Sequence, residues 1–305
     1  MAQFIHSLMG SVIASIISQT ICHPLDTCKA RIQGPEGNLF WNTPQAFSKI
    51  FREEGFRGLY RGFGAILVGG TPGYVLFLTS YEGCKDYLLS NPNWSKHETA
   101  VHLLSGVIAE AICCILFVPV DVVKERLQVQ RPFQGTVKNA HVYSGSYDGL
   151  RQILRDQGIR GLYKGYGATM VSYGPYSALY FALYEKMKDI SSQLSGCSKD
   201  DLSGQYLLGS ASFAASIAAW ATNPLDLAKL RLQVQRERSK PLKSTLHYKN
   251  FNYTGTFDAI SKIYRSEGIR GLYKGSCARM AFEAPNMALG ISLFDVFKRL
   301  FSSMN

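Results

Sequence analysis

Acids and bases recur at one fixed spacing inside apolar stretches of this chain. Asp26 and Lys29 lie in PLDTCKARIQ (24–33), Asp121 and Lys124 in PVDVVKERLQ (119–128), and Asp226 and Lys229 in PLDLAKLRLQ (224–233). Residues three apart share a helical face, so each segment presents an acid and a base on the same side. A charge at the middle of a bilayer costs about 2.5–3.5 kcal/mol on insertion scales, so such residues turn inward and pair. Three of these faces around one axis predict a ring: Asp26–Lys124, Asp121–Lys229 and Asp226–Lys29. Gln33, Gln128 and Gln233, one turn beyond each Lys, are placed to hydrogen-bond beside the pairs. A buried ion pair stabilises poorly, because desolvation offsets its attraction, but it serves well as a two-state latch.

A second set of charges repeats the logic. Glu82/Lys85, Glu185/Lys188 and Asp295/Lys298 are each three apart and follow Tyr81, Tyr184 and Phe294. Two latches at opposite ends of one pore imply alternating access, one open while the other is closed. Between the two sets lie EGFRGLYRG (54–62), DQGIRGLYKG (156–165) and SEGIRGLYKG (266–275), and Pro72, Pro175 and Pro285 each stand ten residues before the second acid. Segments recurring in the same order mark a tandem triplication, which divides the chain at 1–95, 96–198 and 199–305.

The elements that must carry these residues follow from composition. Only 18% of residues are charged and 46% are hydrophobic, against roughly 25% charged in soluble domains. Each repeat holds two apolar runs near the ~18-residue spanning length, at about 5–33, 64–88, 101–129, 166–189, 204–233 and 277–300. Small residues such as Gly10, Ala14, Ser18, Ser210, Ala214 and Ala218 let the odd helices pack closely, and Pro24, Pro119 and Pro224 are expected to kink them. A short amphipathic piece between the two runs, such as YDGLRQILRDQG, reads as a surface helix. The expected fold is an all-α membrane protein with six transmembrane helices in a pseudo-threefold, barrel-like bundle and three short surface helices.

The net charge of +11 is unevenly spread. Connectors 34–63, 129–165 and 234–275 hold 19 Lys/Arg against 8 acids, while 86–100, 189–203 and 299–305 hold 3 against 5. That asymmetry is a topology signal with an anionic-lipid contribution, and it removes the case for nucleic-acid binding. Seven cysteines without a CxxC read as small buried hydrophobes in a reducing setting. MAQFIHSLMGSVIAS carries no positive charge and resembles neither a cleaved signal nor an Arg-rich transit peptide.

The threefold Pro-x-Asp-x-x-Lys-x-Arg, acid-Gly…Tyr-Lys/Arg-Gly and aromatic-acid-x-x-Lys patterns resemble the mitochondrial carrier family over nearly the whole chain. The resemblance implies a monomeric transporter of the mitochondrial inner membrane, with its termini toward the intermembrane space and its basic connectors toward the matrix. The Asp–Lys ring would be the matrix gate. The second ring, Tyr81, Glu82, Lys85, Tyr184, Glu185, Lys188, Asp295 and Lys298, would be the cytoplasmic gate. Arg61-Gly62, Lys164-Gly165 and Lys274-Gly275 resemble cardiolipin sites, where backbone N–H groups at helix starts suit a phosphate. The chain departs from the pattern at Gln157, which replaces an acid, at Ser276-Cys277, which replaces aromatic-Gly, and at Phe294.

The same resemblance places substrate contacts twelve and thirteen residues before the second acid, at Gly69/Gly70, Ser172/Tyr173 and Phe282/Glu283. Outside the gate motifs and the residues flanking them, the spans add only Glu110, Arg279 and Glu283. An anionic cargo needs several cations to replace its water, so a cationic, zwitterionic or weakly charged small molecule fits better: S-adenosylmethionine, an amino acid or a divalent metal. The wording GYGATMVSYGPYSALYFALYEK also resembles the S-adenosylmethionine and metal-ion branches. His23, His102, Trp220 and Cys113-Cys114 read as packing or structural groups. No catalytic triad, metal-ligand cluster or P-loop is present, so the chain is not an enzyme. A membrane adaptor that kept the fold and lost transport is the alternative of another class.

Overall fold

The computed structural model describes residues 2–34, 37–40, 42–91, 94, 98–130, 143–197, 202–235 and 252–302. Among the described residues the structure is helical, with no strand. Helix α1 runs Ala2–Gln33 and continues unbroken through Pro24. After a single turn at Gly37–Leu39, α2 covers Thr43–Leu59. The next apolar run starts with a short turn, Phe63–Ala65, widens into a π turn at Ile66–Gly70, and becomes α3 at Thr71–Leu89. Then follow α4 (Glu98–Val129), α5 (Ser146–Leu162) and α6 (Tyr166–Ser195). The third repeat supplies α7 (Gly204–Ala221), α8 (Asn223–Val234), α9 (Thr256–Leu272) and α10 (Ser276–Ser302).

Two expected runs are divided. Pro24 and Pro119 lie inside helices that continue through them, whereas the run expected at 204–233 breaks at Thr222, just before Pro224. Pro needs only to give up one intrahelical bond, and Thr222 at φ −92, ψ 8 supplies the non-helical residue that accommodates it. The run expected at 64–88 is divided by the π turn at Ile66–Gly70. Its two glycines have little helix propensity, and Gly69 lies so close to α4 that a methyl group there would meet Val120 Cγ2 at 2.1 Å.

The long helices form a closed ring of neighbours. α1 packs on α10, α10 on α7, α7 on α6, α6 on α4, α4 on α3, and α3 back on α1. Inside that ring the C-terminal part of α1 also meets α4 and α8, and α4 meets α8. Two runs of the described residues, Thr43–Leu89 and Leu104–Val129, are long and apolar enough to cross a membrane by composition alone. The remaining long helices dilute their apolar character with inward residues such as Ser18, Asp26 and Lys29 on α1, all buried.

Three apolar clusters fasten the short helices beneath the long ones. Cys28 and Ile32 of α1 meet Ala46, Ile50 and Leu59 of α2, and Ala278 of α10 closes the group. Val122 and Leu127 of α4 meet Ile153 and Leu162 of α5, together with Ala65. Leu227 and Leu232 of α8 meet Ile263 and Leu272 of α9, together with Ala168 of α6. Each cluster therefore takes one small residue from a neighbouring repeat, which links the three repeats cyclically. Burying an Ile or Leu stabilises by about 1.5–3 kcal/mol.

Each short helix bends at its acid-Gly or Gln-Gly step, where Gly55, Gly158 and Gly268 take φ of 66, 64 and 68. That left-handed backbone favours glycine. It turns the chain back toward the long helices, where Tyr60 donates to the Thr20 carbonyl at 3.2 Å and Tyr163 to the Ile115 carbonyl at 2.8 Å.

Candidate functional site

Each odd helix turns the acid and the base of its repeated motif to the centre of the ring. Lys124 Nζ lies 2.7 Å from Asp26 Oδ2, Lys229 Nζ 2.8 Å from Asp121 Oδ2, and Lys29 Nζ 2.8 Å from Asp226 Oδ2. All six residues are buried or nearly so. Desolvating two charges is offset only when geometry and extra hydrogen bonds are good. Gln128 Nε2 donates to Asp26 Oδ2 and Gln233 Nε2 to Asp121 Oδ2, both at 3.0 Å. Gln33 does otherwise: its Nε2 donates to Asn223 Oδ1 at 3.1 Å. Asp226 is instead supported by Arg279 Nε at 3.5 Å. The third pair thus replaces an amide with a guanidinium from α10.

The structure adds a second layer that the sequence reading missed. Arg31, Arg126 and Arg231, two residues past each Lys, are buried. Arg31 Nε donates to the Gln128 carbonyl, Arg126 Nε to the Gln233 carbonyl at 2.9 Å, and Arg231 Nε to the Gln33 carbonyl at 3.3 Å. Each therefore satisfies an orphan carbonyl at the C-terminus of the next odd helix. The guanidinium of Arg31 also forms a fork with Glu54 at 2.8 and 2.9 Å, and Arg231 does so with Glu267 at 2.8 and 2.9 Å. In the second repeat Arg126 reaches Gln157 Oε1 at 2.9 Å. The signal was present as the third charge of the motif, but its partners lie on other helices.

Deeper in the ring, a cluster forms around Glu283 on α10. Tyr176 of α6 donates its hydroxyl to Glu283 Oε2 at 3.1 Å. Arg279 Nε is 4.0 Å from Glu283 Oε1, farther than from Asp226, and Arg279 Nη1 donates to the Ala219 carbonyl at 3.0 Å. Its guanidinium also stands 5.3 Å over the Tyr176 ring. Arg279 is thus committed to Asp226 and the end of α7, and Glu283 keeps only a long contact to it. One turn away, Lys229 Nζ stands 4.9 Å over the Tyr173 ring. Glu110 accepts from Cys114 Sγ at 3.4 Å and lies within electrostatic reach of Lys229. The structure therefore groups Glu110 with Lys229 and Tyr173, not with Glu283.

The family description "Mitochondrial carrier protein" matches three successive stretches of this chain, residues 1–92, 95–194 and 200–305. The chain belongs to the mitochondrial carrier family. Members are transporters of the mitochondrial inner membrane, and this protein is accordingly a transporter and not an enzyme. Among its relatives is mitochondrial substrate carrier family protein E of Dictyostelium discoideum, 34% identical over 97% of this chain and 96% of its own length. The mitochondrial S-adenosylmethionine carrier protein of Xenopus tropicalis is 31% identical over 91% of this chain and 89% of its own. Mitoferrin of Dictyostelium discoideum is 31% identical over 97% and 93%.

The other residues singled out from the carrier pattern fall as follows. At the second ring, Lys188 meets Glu185 of its own helix at 3.6 Å, and Lys85 and Lys188 stand over the rings of Tyr81 and Tyr184 at 5.8 and 5.6 Å. Among the described residues no ion pair joins one even helix to the next at this end; the side chains of Asp295 and Lys298 lie outside what is described. Tyr81 instead reaches His102 Nδ1 at 2.8 Å.

Of the six expected substrate positions, Gly69, Ser172 and Phe282 are buried, while Gly70, Tyr173 and Glu283 are partly exposed. Gly69 serves close packing on Val120. His23 is buried, with Nε2 against the Arg61 carbonyl at 3.0 Å. Trp220 lays its ring on Tyr273, centroids 5.3 Å apart, at the end of α9.

Gly62, Gly165 and Gly275 all have left-handed backbone, φ 79, 84 and 76. A side chain there would also strike the next odd helix, at the Lys124 carbonyl (2.9 Å), Gln233 Cγ (2.9 Å) and Gln33 Cγ (2.7 Å) respectively. Arg61 is held by Glu54 at 3.5 Å and the Gln130 carbonyl at 3.3 Å, and burial moves its guanidinium below its ordinary pKa.

Proposed function

We propose that this carrier exchanges a cationic, zwitterionic or weakly charged metabolite, such as S-adenosylmethionine or an amino acid, by alternating access. In this reading α1, the π turn with α3, α4, α6, α7 with α8, and α10 span the membrane as six helices about a threefold axis. The basic connectors face the matrix and both termini face the intermembrane space. The Asp–Lys ring is the matrix gate, closed in this conformation, and the second ring is the cytoplasmic gate. The protein works as a monomer, with cardiolipin phosphate at the backbone N–H groups after Gly62, Gly165 and Gly275.

The observation that carries the cargo class is Glu283. Its carboxylate is partly exposed to the ring interior, holds one tyrosine hydroxyl at 3.1 Å, and has its nearest described cation at 4.0 Å. An acid in that position gains most from a positive group on the cargo. The test is a thermal-shift screen of the purified protein against S-adenosylmethionine, neutral and basic amino acids, divalent iron, ATP and citrate. A bound cargo stabilises by mass action, about 2.7 kcal/mol at a hundredfold excess over Kd. The cationic and zwitterionic solutes should raise Tm and then exchange in liposomes. Stabilisation and exchange of ATP or citrate alone would overturn the cargo class. A protein that exchanges none of these solutes yet captures a protein partner would be an adaptor.

A further inference from the structure

The Asp–Lys ring contains a fourth carboxyl that the threefold pattern does not call for. Glu125 lies between Lys124 and Arg126, where the other repeats have Ala30 and Leu230. It is buried. Its Oε1 is 3.3 Å from Lys124 Nζ, but the same ammonium is 2.7 Å from Asp26 Oδ2. Its Oε2 has no hydrogen-bond partner among the described residues. The charges acting most strongly on it are Lys124 and Asp121 of its own helix and Asp26 and Lys29 of α1.

Compare the three acids that meet here. Asp26 has Lys124 at 2.7 Å and Gln128 at 3.0 Å, and Asp121 has Lys229 at 2.8 Å and Gln233 at 3.0 Å. Glu125 has only the longer share of an ammonium already taken, and one bare oxygen. A buried carboxylate without its own cation neutralises itself in preference to staying charged.

We propose that Glu125 is a proton-binding site of the ring, held protonated while Asp26 occupies Lys124. When the ring opens, which rests on the transport reading above, Lys124 leaves Asp26 and Glu125 becomes its adjacent partner. The carboxyl then gives its proton to the water that enters, leaving a carboxylate beside Lys124; no other reactant is required. Opening of this gate therefore releases one proton on the side to which it opens.

Infrared spectroscopy tests this without any cargo, because protonated and ionised carboxyls absorb separately. At neutral pH, Glu125→Gln should remove a protonated-carboxyl band from the purified protein. Asp26→Asn leaves Glu125 in place but frees Lys124, as opening does, so it should also remove that band, while the carboxylate gained at Glu125 offsets the one lost at Asp26. A Glu125→Gln difference spectrum that loses a carboxylate band overturns the proposal. So does an Asp26→Asn protein that keeps the protonated band, and this second variant decides the matter even if Glu125→Gln fails to fold. A failed cargo screen would leave these spectra unchanged, so the two readings fail separately.

Discussion

Arg126 donates through Nη2 to Gln157 Oε1 at 2.9 Å, a hydrogen bond to an uncharged amide where the first and third repeats place an arginine–glutamate fork. The step from Gln to Glu preserves shape, which matters because Gln157 packs against Gly161 with no room for a methyl group between them. A carboxylate at 157 would add an opposite charge and could accept two parallel hydrogen bonds from the guanidinium, so Gln157→Glu should stabilise by about 1 kcal/mol. The measurement is Tm of the purified protein, which should rise by a few degrees. An unchanged or lower Tm would mean that the second repeat does not use the fork geometry of the others.

The ring pairs make a sharper test. Asp26→Lys or Lys124→Asp alone leaves like charges facing each other in a buried site, where breaking a pair costs about 3–5 kcal/mol. The double swap restores an ion pair across the same gap. Once a transported solute is known, exchange rates in liposomes should rank the swap above both single reversals. If the swap is no better than the singles, these two residues do not act as a pair in transport.

Gly165 carries two constraints at once, φ +84 and a neighbour, Gln233 Cγ, 2.9 Å from where a Cβ would sit. Gly165→Ala should therefore cost about 1–3 kcal/mol. Gly167, two residues on and inside α6, has open space around it. There Gly→Ala should stabilise by about 0.5–1 kcal/mol. Thermal unfolding of the two variants side by side checks the contrast, and equal shifts would remove the argument from backbone and approach.

Outside the spans, two aspartates hold the starts of surface helices. The Ser144 amide donates to Asp148 Oδ2 at 2.8 Å, and the Asp258 carboxylate accepts from Lys262 Nζ at 2.8 Å and the Thr254 amide at 2.9 Å. These donors favour the ionised form, so both carboxyls sit below their ordinary pKa in the folded state. Their contribution is present at neutral pH and is lost as pH falls through that depressed range. Asp148→Ala and Asp258→Ala should thus lower Tm at neutral pH. The gap from the parent protein should close on acidification, and a gap that stays constant with pH would contradict the linkage.

How much of this was legible beforehand depends on how far apart in sequence the partners lie. The spacing of Asp26, Lys29 and their counterparts sufficed to draw the ring, because an i, i+3 charge pair in an apolar helix has one direction in which to turn. The arginine layer was not legible. Arg31 and Glu54 are 23 residues apart on different helices, and no local period relates them. Glu125 escaped for the opposite reason: it has no counterpart in the other repeats, and a reading built on threefold recurrence passes over a residue that occurs once. The π turn at Ile66–Gly70 depended on Val120, a neighbour that sequence does not reveal. Gln33 was expected beside an aspartate but reaches Asn223, because Arg279 of another repeat already serves Asp226.

The cargo class proposed above turns on whether Arg279 serves Glu283 or Asp226. If Arg279 belonged to Glu283, the acid would be internally neutralised and the cargo need carry no positive charge. The distances favour Asp226 as the owner, 3.5 Å against 4.0 Å, and Arg279 is further fixed by the Ala219 carbonyl. Glu283→Gln retains the shape and the acceptor for Tyr176 while removing the charge. Exchange of cationic or zwitterionic solutes should then fall at least tenfold, equivalent to about 1.4 kcal/mol, with little change in Tm because the tyrosine contact survives. A variant that instead loses several degrees of Tm and keeps its solute preference would make Glu283 a structural partner of Arg279. Tyr176→Phe separates the two further: it removes the 3.1 Å hydrogen bond but leaves the carboxylate, so it should weaken recognition less than Glu283→Gln does.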